Sequence, residues 1–318
     1  MKWFSGWRTG RDTPRSYPIA ILSFDRPAYL RPVLKSLARQ TSPDDHVILF
    51  QDGAFNRYSG RHKADPRNVA SCINLFRQYF PRGEVRESPE NLGIAFNYER
   101  AERFVFEELA AGSALFLEDD LVLSPNYLDV IDMLLAIASS NDRIGYVSAY
   151  GDFWADLDTQ SLFADRLIQM HENWGAAITR QSWLAERSFR RRYLDLVSGV
   201  DYSFRDHEKI RNFYLGRGWR TSITSQDCAR WIACLEKGAV RVTTGACHAK
   251  YIGAKGEHFN KRIYRQRQYG LTKVFTGPLK PISMPDQAMI NAWLADEHVR
   301  FGDNAQAGRQ FERQYHET

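Results

Sequence analysis

Three consecutive acids, Glu118, Asp119 and Asp120, stand between one apolar run, residues 114–117, and another, Leu121, Val122 and Leu123. Carboxylates in such company cost free energy unless a cation or hydrogen-bond donors meet them. Their oxygens suit hard divalent cations, whose ligation is often shared between one or two protein carboxylates and the phosphates of a substrate. The chemistry this triplet could serve is the neutralisation of a departing diphosphate through Mn2+ or Mg2+. An acidic turn bonded to backbone amides and solvent is the plainer account of such a triplet alone. Two more acids tip the balance towards a site: Asp25 follows the apolar run 17–24, and Asp52 follows the run 46–50.

For these acids to meet, their strands must lie side by side. Residues 17–24 are almost continuously apolar, as a strand buried on both faces of a parallel sheet must be. Leu30, Val33, Leu34 and Leu37 then recur at helical spacing across residues 28–38. A second strand at 46–50 ends at Gln51, Asp52 and Gly53. Residues 68–80 read as a helix broken by Pro81 and Gly83, and residues 84–87 as a short third strand. The turn Asn91, Leu92, Gly93 leads into a helix over 94–108, with Phe104 and Leu109 facing inward, and the strand 114–117 then delivers the acidic triplet. This alternation predicts an α/β fold with a doubly wound, mostly parallel central sheet flanked by helices. In such sheets ligands bind outside the carboxyl ends of the strands, where Asp25, Asp52 and residues 118–120 converge.

Ser124, as N-cap, and Pro125 open a helix over 127–139. A strand follows at 144–149, and residues 150–169, with weak periodicity, read as a long loop. Asn173, Trp174 and Gly175 precede a helix from Gln181, and helical character continues to about Gly216. A helix at 226–235 and a strand at 240–243 follow. The expectation is one domain over residues 17–280 with a C-terminal helical tail at 281–318.

The chain has 318 residues, 43% of them hydrophobic and 25% charged, as an ordinary globular protein does. Its formal charge of +5 suits an anionic partner such as a diphosphate, a nucleic acid or a lipid surface. No aromatic-and-basic motif supports nucleic acid. Basic clusters at Arg8, Arg11 and Arg15, at residues 187–192 and at residues 261–267 read as solvated faces. Four cysteines without zinc spacing imply free thiols in a reducing compartment. No apolar run is long enough for a signal peptide or a membrane span. Trp3, Phe4 and Trp7 beside arginines could touch an anionic membrane surface. The expected location is the cytoplasm, or peripherally the inner face of the membrane.

Residues 116–127 (Phe-Leu-Glu-Asp-Asp-Leu-Val-Leu-Ser-Pro-Asn-Tyr) resemble the acidic motif of the N-acetylglucosaminyltransferase I family and its bacterial relatives, inverting glycosyltransferases of the GT-A fold. Further segments resemble the family in the same order: 23–27 and 50–53 its first two strand ends, 91–93 the turn before the helix, and Trp174, Gly175 and Trp183 a segment near the acceptor. Residues 225–231 resemble the segment with the catalytic base, and 253–259 a loop near the diphosphate. The resemblance implies Asp120 as metal ligand, Glu118 and Asp119 at the ribose or in support, and Asp52 accepting from the base ring of uracil. Arg26 would lie near the base or phosphates, with Asp25 and Asn91 in the same nucleotide site. Asp227 matches the general base, although an acid at a helix start also satisfies the helix dipole. His258 would ligate the metal or a phosphate, or be structural. Lys250, Lys255 and Lys261 flank its loop. A UDP-sugar donor, UDP-N-acetylglucosamine by family default, and a glycan or lipid-linked acceptor follow, in keeping with surface-polysaccharide synthesis.

Two other readings compete. A nucleotidyltransferase has a similar sheet and metal motif but wants a glycine-rich loop after the first strand, where Asp25, Arg26 and Pro27 stand instead. A carbohydrate-binding protein without activity needs neither metal nor base.

Overall fold

The computed structural model describes residues 13–256 and 260–302. They build an eight-stranded sheet in the order Glu84–Glu87, Val47–Gln51, Ile19–Ser23, Ser113–Glu118, Ala177–Thr179, Ile144–Ser148, Val240–Thr244, Leu167–Gln169. The first four run parallel. Ala177–Thr179 is antiparallel to both of its neighbours, Val240–Thr244 is parallel to Ile144–Ser148, and Leu167–Gln169 is an antiparallel edge. The sheet is thus α/β and mostly parallel, as the alternating pattern requires. Helices Pro27–Leu37, Pro66–Tyr79, Gly93–Arg103 and Tyr127–Ser140 carry their buried apolar residues onto it.

Register puts the acids at one level. Leu22 pairs with Phe50 on one side and with Glu118 on the other, so the chain leaves all three strands along one edge. Because Ala177–Thr179 runs the other way, the residues before it reach the same edge: the Phe116 amide donates to the Ala176 carbonyl at 2.9 Å, and Asn173 to Gly175 lie just beyond.

Several sequence expectations need correction. The 150–169 stretch is not a continuous loop, since it holds the helix Leu157–Phe163 and the strand Leu167–Gln169. The helix expected over 94–108 is α-helical to Arg103 and then opens into a π-helical turn, Phe104–Glu108; this rotates Leu109 outward to 37% exposure. Ser124 is no side-chain cap: the N-cap position falls two residues later, at Asn126, and no side chain caps the helix. Arg15 is buried against Asp45 and Asp129 rather than solvated. Arg190 is buried with Glu102. The helix Gln287–Phe301 sends Ile290, Leu294 and Phe301 into the same core as the sheet, with the Phe301 ring edge-on to Trp231 at 4.6 Å.

Candidate active site

A cleft of ≈ 500 Å³ opens at the carboxyl edge of the sheet. Its lining includes Asp25, Arg26, Asp52, Asn91, Glu118, Asp119 and Asp120 together, with Lys63, Tyr251 and Lys255. His258 lies outside the described residues.

The acidic turn is held from two sides. Leu121–Leu123 pairs antiparallel with Ala249–Tyr251, and the Ile252 amide donates to the Asp120 carbonyl at 2.9 Å. This ribbon sets Gly253 so close that a Cβ there would lie 2.2 Å from Asp120 Oδ2 and 2.4 Å from the Tyr251 hydroxyl. From the other side the Arg26 guanidinium pairs with Asp119 and, through Nη1, with Asp120 Oδ2 at 2.8 Å. It also donates to the Lys255 carbonyl at 3.2 Å.

Three carboxylates therefore face one arginine. Burial pushes Asp120 up to about 7 against the pull of Arg26, with the Asp119 charge adding to the rise. Glu118 is driven well above the usual carboxylate range by burial and then by the charges of Asp120 and Asp227. Asp120 Oδ1 is buried with no hydrogen-bond partner among the described residues. A buried carboxylate oxygen without a donor is costly and suits a cation. Among the described residues no three His, Cys, Asp or Glu groups close around an ion by themselves. The donor set fits a divalent cation that completes its shell with phosphate and water, as Mg2+ does when bound by one or two carboxylates.

Asp52 behaves differently from the role the resemblance assigned it. Its Oδ1 accepts from the amides of Gly53 (2.9 Å) and Leu92 (2.8 Å), and its Oδ2 from the Gly93 amide (3.0 Å) and Asn91 Nδ2 (3.0 Å). An ionised carboxylate offers about four acceptor positions, and the protein fills them all. Asp52 thus staples the 91–93 turn and shapes the cleft wall, leaving no free direction for a base ring. Burial raises it to about 6, and the backbone donors of Leu92, Gly53 and Gly93 pull it back towards the ionised form.

Asp227 sits in the first turn of the helix Gln226–Glu236, which Ser225 caps. It is outside the cleft lining, yet close enough that its charge acts on Glu118. Both amide donors to it use Oδ1: Gln226 Nε2 at 2.5 Å and Asn173 Nδ2 at 3.3 Å. Each amide is oriented by an arginine behind it. Arg230 Nε donates to Gln226 Oε1 at 2.6 Å, and Arg241 Nη1 to Asn173 Oδ1 at 2.5 Å. Burial raises the Asp227 carboxyl above its ordinary range, against Arg230 and the amides. Arg230 and Arg190 both pair with Glu102, which is fully buried, tying the Asp227 helix to the helices Gly93–Arg103 and Arg180–Val197.

An aromatic box adjoins the cleft: Tyr251 belongs to its lining, and Trp174 follows Asn173, which donates to Asp227. The Trp174 ring stacks on Tyr251 at 4.3 Å and 8°, and Tyr269 lies edge-on to both, at 5.0 Å and 5.4 Å. Glu172, two residues before Trp174, accepts from the Tyr269 hydroxyl at 3.1 Å.

No family model matches the chain, and no curated protein does. Among solved structures it is similar to the apo-form glycosyltransferase GlyE of Streptococcus pneumoniae TIGR4, at TM-score 0.31 and 17% identity over 60% of this chain and 40% of that one. S. aureus TarS 1-349 gives TM-score 0.43 and 10% identity over 89% and 71%. GalNAc-T7 with UDP, GalNAc and Mn2+ gives 0.45 and 10% over 89% and 47%. The chain spans less than half the length of GlyE and of GalNAc-T7.

Sequence reasoning missed several residues here. Lys63 lines the cleft and pairs with Asp201 at 3.2 Å, a partner 138 residues away. It sits beside two-residue strands whose sequence carries no pattern. The orienting pair Asn173 and Gln226 could have been found, since each is adjacent or near to a singled-out residue, Trp174 or Asp227.

Proposed function

We propose that the chain is a metal-dependent, inverting glycosyltransferase of the GT-A type, moving a sugar from a UDP-sugar to a hydroxyl of a glycan or lipid-linked acceptor. The observation that carries this reading is the Asp120 carboxylate, with one buried oxygen lacking a donor, in a cleft that gathers strand-end acids and three cationic side chains. When bound, Mn2+ or Mg2+ would neutralise charge developing on the departing diphosphate. Asp120 would hold that ion, with Glu118 and Asp119 in support. Arg26, Lys63 and Lys255 attract the diphosphate, and the turn stapled by Asp52 forms the wall for the nucleoside.

Asp227 is the general base. With both amide donors on Oδ1, Oδ2 is left to take the acceptor's proton. A carboxyl raised above its ordinary range is a stronger base once ionised. The acceptor oxygen bonds to the anomeric carbon, the carbon–oxygen bond to the diphosphate breaks, and the acceptor's proton passes to Asp227. Attack from the side opposite the leaving group inverts the anomeric centre. N-acetylglucosamine is the sugar we favour, on the motif resemblance, and the cytoplasmic face of a membrane the location.

The test is Asp227→Asn, which keeps the shape and the helix. Transfer is expected to fall at least a hundredfold, on the scale of general-base losses, with UDP affinity unchanged in calorimetry. Turnover near wild type would remove Asp227 from the reaction.

A further inference from the structure

Residues 154–166 and 260–284 run side by side on the surface beyond the aromatic box. Hydrogen bonds lace them along their length. Trp154 Nε1 donates to the Arg267 carbonyl (3.2 Å), and Gln160 Nε2 to that of Lys273 (2.9 Å). Lys280 Nζ donates to the Ser161 carbonyl (2.8 Å), and the Ser283 amide to that of Asp165 (2.9 Å).

The joint surface is unusual in two ways. Leu162 is 71% exposed and Leu271 72%, and Leu157, Phe163, Leu279 and Met284 are exposed with them. A single surface leucine needs no explanation, but six exposed large apolar side chains on two hydrogen-bonded segments point to an interaction site. The same segments hold seven Lys and Arg against three Asp, and residues 260–284 contain six of those cations and no acid. That is a net +4 on a face of a chain whose whole charge is +5. One of the three acids, Asp156, is engaged in capping its own helix through the Thr159 amide at 2.8 Å.

We propose that this face docks the protein on an anionic phospholipid surface. Exposed apolar side chains on the same two segments as exposed lysine and arginine match the boundary between acyl chains and negatively charged headgroups. An apolar protein groove would answer the leucines and leave the exposed cations Arg262, Arg265 and Lys273 unanswered. The docking face also shares a wall with the aromatic box, because Tyr269 packs on Trp174 and Arg267 lies 3.7 Å from Glu172. Docking would therefore bring the Asp227 side of the cleft close to the headgroup plane, where a lipid-linked acceptor presents its hydroxyl. That last step rests on the transferase reading; the docking does not.

The test is co-sedimentation of the full chain with phosphatidylcholine vesicles, with and without about one-third phosphatidylglycerol. Binding is expected to the anionic vesicles alone and to weaken with salt. Arg262, Arg265 and Lys273 are exposed, and the triple change Arg262→Gln, Arg265→Gln, Lys273→Gln is expected to weaken binding on the order of a hundredfold, about fivefold per charge. The pair Leu162→Ser, Leu271→Ser is expected to weaken it at unchanged charge. Thermal unfolding and UDP affinity should match wild type in both variants. Binding retained by both would assign it elsewhere, such as to residues 1–12, and overturn the proposal. Equal binding to neutral vesicles, or no binding to either, would also overturn it. Either failure leaves the transferase reading standing, and loss of UDP binding by the wild type would strike that reading alone.

Discussion

A methyl group added at Gly253 tests how tightly Asp120 is placed. The new Cβ would meet Asp120 Oδ2 at 2.2 Å and the Tyr251 hydroxyl at 2.4 Å, where ordinary contact begins at 3.4 Å. One side must give by roughly an ångström. Asp120 is 3% exposed and paired with Arg26, while Tyr251 is stacked on Trp174 and donates to the Gly253 carbonyl at 2.9 Å. Arg26 holds the one and Trp174 the other, so Gly253→Ala either separates the 253 loop from the acidic turn or pushes Asp120 off Arg26 towards the cleft. Overpacking of this kind costs about 1–3 kcal/mol of stability, which leaves the protein folded. Displacing a metal-holding carboxylate by about an ångström costs roughly a hundredfold in rate. The assay is UDP-sugar turnover with Mn2+, beside calorimetric UDP affinity, with circular dichroism to confirm the fold. Gly112→Ala is the control, because a Cβ there meets nothing within 4 Å. Wild-type affinity and rate in Gly253→Ala would refute the assignment of Asp120 to the reacting centre.

Two other outcomes follow from buried charge. Glu102→Gln leaves Arg230 buried without its carboxylate partner, while Arg190 keeps Glu99 at 3.4 Å, and breaking a buried pair from one side costs about 3–5 kcal/mol. Thermal unfolding should fall by roughly 4–8 °C, from an unfolding entropy of about 2.1 cal/mol/K per residue; a drop of a degree or less would mean the triad is not holding these helices. Glu186, buried and receiving the Tyr146 hydroxyl at 2.7 Å, is pushed up by burial to about 7. The folded state then holds its proton more tightly than the unfolded chain between about pH 4.5 and 7. Its contribution is full at the acid end and is lost as pH rises through 7, a change of up to about 3 kcal/mol. Glu186→Gln, neutral throughout, should gain on wild type between about pH 5 and 7.5 in denaturant titrations; parallel stability curves would contradict the shift.

The sheet was readable because its strands are buried on both faces, so Ile19–Ser23, Val47–Gln51 and Ser113–Glu118 stand out as short apolar runs. Acids placed directly after such runs announce the carboxyl edge, and seven residues singled out that way or by the motif resemblance share one cleft. Local sequence could not show that Asp52 is saturated by donors from the 91–93 turn, because that depends on a contact across some forty residues. Nor could it show Lys63 meeting Asp201, or Arg241 orienting Asn173. The helix Leu157–Phe163 escaped notice for another reason. Its side chains Leu157, Leu162 and Phe163 are exposed, so burial imposed no helical period on a stretch of seven residues.

The central claim is that the acids at these strand tips hold a cation which in turn holds a pyrophosphate. Calorimetric titration of UDP into the protein, with Mn2+ and then with chelator in its place, asks this most directly, with Asp120→Asn as the paired variant. Saturable binding that needs the metal and is lost in Asp120→Asn is the outcome the account requires. Equal affinity in chelator, or an Asp120→Asn protein that binds UDP and Mn2+ as wild type does, would contradict it.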